Sequence, residues 1–136
     1  MKGDSILGKV IITNNSKVYE KYKDKFEIVF LEEGSYTDVL SKTRDNVHMG
    51  YKLITHPMAG SLKPNQTPYK TVIVGKNTGK TDYESIVLIE NSLEAAHKFL
   101  KFKSTPNWND KILNDFKTVD LSLIENVVKN PMFSGF

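Results

Sequence analysis

Apolar residues in this chain gather into short unbroken runs separated by polar stretches of helical character. Four runs are rich in β-branched and aromatic residues: 6–13 (ILGKVIIT), 26–31 (FEIVFL), 51–54 (YKLI) and 71–75 (TVIVG). Their length and scarcity of polar interruption predict strands covered on both faces. After the first, Asn14-Asn15-Ser16 offers N-cap chemistry for a helix over 17–23. After the second, Glu32-Glu33-Gly34-Ser35 turns the chain. Ser35 with Asp38 approximates a capping box, opening a helix to about Met49 that Gly50 stops. Val39, Leu40, Thr43 and Val47 form its inward stripe.

The order β-α-β-α-β with short connections suits right-handed crossovers and a parallel sheet. The expectation is a single three-layer α/β domain over 1–136. It has four mostly parallel strands flanked by helices, in a Rossmann-like topology. The simplest strand order is 2-1-3-4, although the fourth strand has no crossover helix before it and is open to running antiparallel.

Beyond the fourth strand, 76–80 reads as an exposed polar turn. The next stretch admits two readings. Thr81 with Glu84 caps one helix from Asp82 to about Phe102; Asn91 with Glu94 caps a shorter one, leaving 85–89 (SIVLI) as a fifth strand. Ile86, Ile89, Leu93, Ala96 and Leu100 recur at helical steps and favour the single helix. Thr105-Pro106 then starts a helix with Trp108, Ile112 and Phe116 on its apolar face. Ser122 with Glu125 caps a last helix ending near Asn130-Pro131, and 131–136 is a loose tail unless Phe133 and Phe136 dock.

Between the third and fourth strands lies the stretch without periodicity, THPMAGSLKPNQTPYK, sixteen residues from Thr55 to Lys70. Connections this long are usually functional or disordered. Three of the chain's five prolines fall here and stiffen it, which points to a binding loop.

Composition narrows the possibilities. Nineteen Lys+Arg against 16 Asp+Glu leave a net charge of +3, but most lysines stand beside acids and Arg44 is the only arginine. That distribution argues against a nucleic-acid face. With no cysteine, disulfides, thiolate catalysis and cysteine-based zinc sites are excluded. The N-terminal apolar run is too short for a signal peptide, and no stretch is long enough to span a membrane, so the expected location is the cytoplasm.

In an open α/β sheet, ligands gather beyond the carboxyl ends of the strands. A parallel arrangement would bring Asn14, Asn15, Ser35, Thr55 and His56 to that edge, under the loop carrying Gly60, Ser61, Lys63, Asn65, Tyr69 and Lys70. These are the candidate ligand-binding residues. Ser35 and its helix start offer an anion site, Gly60-Ser61 allows close backbone approach, and Lys63 or Lys70 supplies positive charge. The plainer reading leaves Asn15 and Ser35 as helix caps. His56 is the candidate acid–base group, but no motif fixes a partner for it, and a loop-stabilising role is the simpler one. His48 falls in a last helical turn and His97 on a helix surface; the three are not spaced as metal ligands. GKNTGKT (75–81) departs from a phosphate-binding loop, having three residues rather than four between its glycines.

Several segments taken together resemble one family. ITNNSKVYEKY, EGSYTDVL and above all ITHPMAGSLKPNQTPYKTVIV followed by ESIVLIENSLEAAHKFL are similar to the GrdX proteins, over about residues 9 to 102. Thr55, His56, Pro57, Gly60, Lys63, Pro64, Asn65, Pro68, Tyr69 and Lys70 carry the most specific part. The family is encoded with glycine, sarcosine and betaine reductase systems of anaerobes. The resemblance implies a cytosolic setting beside such a reductase and supplies no catalytic residue, cofactor or metal. Three functions follow as expectations. The first is a non-catalytic accessory protein binding a reductase component or a small anionic ligand through 55–70. The second is a small enzyme acting on a carboxylate or phosphate with His56 as acid–base group. The third is a nucleic-acid-binding regulator.

Overall fold

The computed structural model describes residues 8–58, 62–75 and 77–135. In chain order the elements are β1 (Val10–Thr13), α1 (Ser16–Tyr22), β2 (Glu27–Phe30), α2 (Tyr36–His48), β3 (Lys52–Leu53), β4 (Thr71–Gly75), α3 (Tyr83–Phe102) and α4 (Asp110–Lys129), closed by a 3-10 helix (Pro131–Gly135). No described helix is long and apolar enough to cross a membrane.

The four strands form one sheet in the order β2-β1-β4-β3. β1 and β2 are parallel, whereas β4 runs antiparallel to both β1 and β3. The expected mostly parallel, Rossmann-like sheet with order 2-1-3-4 is therefore corrected: two of its three pairings are antiparallel, and β4 rather than β3 neighbours β1. The cause lies in the loop. A parallel return requires a crossover element, and the described residues of 55–70 contain no helix. The chain therefore doubles back from β3 and fills the place beside β1.

The alternation of the strands divides the core. Val10, Ile12, Val72 and Val74 face α2 and α3, meeting Val39, Leu40, Val47, Ile89, Leu93 and Ala96. Ile11 and Ile73 face α1 and α4, meeting Val18, Tyr22, Phe26, Ile124 and Phe133. Helices thus cover both faces of the sheet. Phe133 packs edge-on against Phe26 and is buried, while Phe136 lies outside the described residues.

Local signals explain most of the helices. Asn15 caps α1 through its side chain, and Ser35 and Asp38 form a reciprocal capping box on α2. Gly50 follows α2 with φ 114°, a conformation that glycine tolerates best. α3 is one continuous helix, so 85–89 is not a strand; its cap is Asp82 onto Ser85 rather than Thr81. The two helices expected between 105 and 130 are one, α4, capped by Asn109. Residues 104–109 are held along the central loop instead. Thr105 Oγ1 donates to Pro64 O, and Trp108 Nε1 donates to Gln66 O at 2.8 Å.

Candidate functional site

β1, β2 and β3 all point their carboxyl ends to one edge of the sheet, and β4 begins there. Thr13, Asn14 and Asn15 leave β1 at that edge, Thr55 and His56 follow β3, and Lys70-Thr71 opens β4. α4 crosses the same edge and brings in Asp120.

The side chains meet in a closed polar ring. Thr71 Oγ1 donates to Asp120 Oδ2 at 2.6 Å, and Asn15 Nδ2 donates to the same oxygen at 3.0 Å. The hydroxyls of Thr13 and Thr71 lie 2.7 Å apart, and Asn15 N donates to Thr13 Oγ1 at 3.0 Å. Because Thr71 gives its hydrogen to Asp120, Thr13 is the donor in the hydroxyl pair. Asn15 thus supplies both ends of the ring while Oδ1 caps Lys17 N and Nδ2 also reaches Lys117 O.

Lys70 lies beside the ring and is only 7% exposed. Its ammonium sits 5.7 Å from the centre of the Tyr36 ring, a cation–π distance. Burial lowers its pKa to about 8, against the opposing pull of Asp120. Burial likewise raises the Asp120 carboxyl above the usual range, and the Thr71, Asn15 and Lys70 interactions hold it partly back. Burial also pushes the Tyr36 phenol up. A buried amine and a half-buried carboxyl thus share one edge of the sheet.

Among the described residues, two hollows border this pair. A crevice of about 110 Å³ is lined by Thr55, His56, Lys70, Thr71 and Asp120 on its polar side, and by Leu123, Ile124 and Val127 of α4 on its apolar side. On that scale, where a benzene-binding cavity measures about 150 Å³, the crevice admits about four or five non-hydrogen atoms. The second hollow, about 20 Å³ between Tyr36, Thr67, Tyr69 and Phe116, is the size of a water molecule.

The residues expected to bind a ligand divide into groups. Thr55, His56 and Lys70 line the crevice, and Asn15 reaches it through Asp120. Thr55 Oγ1 accepts Ile73 N, and His56 Nδ1 accepts Met58 N at 3.0 Å, which stabilises the loop's first turn. Tyr69 borders only the smaller hollow, its ring under the Lys117 ammonium. Asn14 is a staple: it donates to Gly34 O and Pro68 O and accepts Lys70 N, fixing the loop's return to β1. Asn65 reaches Phe99 O, and Lys63 lies exposed over the Phe99 ring, both on the α3 side. Ser35 stands apart, already engaged by Asp38, beside an open groove bearing Glu32, Glu33, Asp38 and Asp45. Gly60 and Ser61 lie outside the described residues.

Thr13, Thr71, Tyr36 and Asp120 escaped the sequence reading. A signal for Asp120 exists: it shares the helical face of Phe116, Leu123, Ile124 and Val127, an acid set in an apolar stripe.

No curated protein and no solved structure matches the chain. A family model does, and it extends beyond the resemblance traced to residue 102 to take in α4 and Asp120. Matched over residues 10–129 by the model described as GrdX-like protein, the chain belongs to that family.

Proposed function

We propose that this protein is a non-catalytic accessory component of the glycine reductase system in the cytoplasm, and that it binds a small carboxylate in the crevice between the 55–70 loop and α4. The family supports the setting. The observation that carries the binding reading is Lys70, a buried ammonium lining a crevice of about 110 Å³ that closes on apolar side chains. A buried charge is costly unless something compensates it, and an anion entering the crevice would add to the compensation that Asp120 and the Tyr36 ring give Lys70. The crevice size favours a compact ligand over a nucleotide.

A reductase subunit is the alternative partner, docking over the same loop. An enzymatic reading draws on a separate feature. His56 and Asp120 open on one crevice, and because His56 Nδ1 accepts a backbone N–H, the neutral ring carries its hydrogen on Nε2.

Thermal unfolding against acetate, glycine, sarcosine, betaine, acetyl phosphate and inorganic phosphate tests the proposal. At about a hundred times its dissociation constant a ligand stabilises by about 2.7 kcal/mol, a shift of several degrees. The shift should vanish in Lys70→Met and persist in Lys63→Ala, whose side chain lies elsewhere. No shift with any compound, or one lost only in Lys63→Ala, would overturn the crevice as the binding site.

A further inference from the structure

The crevice holds an amine that anion binding does not fully use. Lys70 is among the buried polar residues of the protein, yet it lines a hollow open to small molecules. The same hollow presents a carboxyl group, held in place through Oδ2 by Thr71 and Asn15. His56 lines it too, with Nδ1 committed to the loop and Nε2 left as a hydrogen-bond donor. Leu123, Ile124 and Val127 of α4 give it an apolar side. A nucleophile, a proton carrier, a carboxylate-binding donor and an apolar side are what an amine needs to condense with a carbonyl.

We propose that Lys70 captures a small 2-oxo acid of two or three carbons as an imine, with Asp120 moving the protons and His56 holding the ligand's carboxylate. This deepens the crevice reading above and rests on it.

The step balances without any co-reactant. The lone pair on Lys70 Nζ forms a bond to the carbonyl carbon, and the C=O π pair moves to oxygen. Asp120 relays a proton from the nitrogen to that oxygen, giving a carbinolamine. A proton delivered by the Asp120 carboxyl lets the hydroxyl leave as water while the nitrogen lone pair closes the C=N bond as an iminium, and the Asp120 carboxylate then takes the remaining N–H proton to leave the neutral imine and restore the acid. The sum is amine plus carbonyl giving imine plus water. With its pKa lowered to about 8, about one Lys70 in ten is neutral at pH 7, against about one in a few thousand for an ordinary lysine. Burial raises the Asp120 carboxyl above its usual range, which favours its part as proton carrier.

Borohydride reduction makes the adduct permanent and countable. The full chain would be incubated with glyoxylate, reduced, and mapped by peptide mass spectrometry, with acetate-induced melting shifts measured in parallel. The expected result is a single reduced adduct on Lys70, absent in Lys70→Arg, and formed about a hundredfold more slowly in Asp120→Asn. Adducts spread over surface lysines without preference for Lys70 in the wild-type chain would overturn the proposal, whether or not Lys70→Arg folds. A melting shift with acetate but no trapping with glyoxylate would overturn imine capture and leave the anion site standing. Neither shift nor trapping would overturn both.

Discussion

Two helix starts lie side by side at the sheet edge, and the chain treats them differently. Asn14, which precedes the α1 cap, donates to Gly34 O, which precedes the α2 cap, so Asn15 and Ser35 begin their helices as neighbours. Both are good capping residues by type. Ser35 is exposed, and its capping box closes locally on Asp38. Asn15 is fully buried, and its amide reaches 105 residues along the chain to Asp120. A cap that needs only an acceptor can be satisfied within one turn. One that must also donate can anchor a distant helix, and asparagine does both from separate atoms, accepting through Oδ1 and donating through Nδ2, which aspartate cannot do. The site grew at the second kind of cap.

The sharpest way to break the comparison is to place aspartate at each start. Asn15→Asp keeps the cap but removes the donors to Lys117 O and Asp120 and sets two carboxylates in contact. The expected cost at pH 7 is about 3–4 kcal/mol by denaturant unfolding, shrinking in acid as one carboxylate is protonated. A loss below about 1 kcal/mol would mean the ring contributes little. The second effect comes from Lys70. Its proton leaves near pH 8 in the folded chain and near 10.5 once unfolded, so between those values the unfolded state holds more protons and stability rises with pH. Lys70 should contribute about 3 kcal/mol to that rise, and Lys70→Met should flatten the wild-type stability curve across the window. Curves that stay parallel would show Lys70 to be less desolvated than its surroundings suggest. The smallest effect belongs to Ser35: Ser35→Ala should cost about 1 kcal/mol and Ser35→Asp a few tenths at most, with acetate binding unchanged in both.

What could be read from the sequence was mostly what the chain decides locally. The caps of α1 and α2, the glycine stop at Gly50, the span of β4 and the unbroken length of α3 depend on neighbours a few residues away. The place of β4 does not. Its sequence, TVIVG, suits a buried strand in either direction, and only the absence of a crossover helix before it bears on the outcome. α4 was cut at Ser122 because Ser122 and Glu125 have capping spacing, but a serine inside a long amphipathic helix costs little. A helix begun at Ser122 also leaves Asp120 outside the apolar stripe of Leu123, Ile124 and Val127 that marks it as unusual. Thr13 and Thr71 looked like ordinary β-branched strand residues, and nothing local shows that their hydroxyls meet.

The long reach of the ring also bears on how the protein is made. Asn15 emerges 105 residues before Asp120, and Thr13 must find Thr71, 58 positions further along. Closing such spans adds little to the equilibrium cost, since loop entropy grows only logarithmically, but long-range pairing slows folding. During synthesis the crevice cannot exist until α4 has left the ribosome and docked. Any molecule that recognises it therefore distinguishes chains whose α4 has docked from those whose α4 has not, and would draw late-folding molecules toward the native state by mass action.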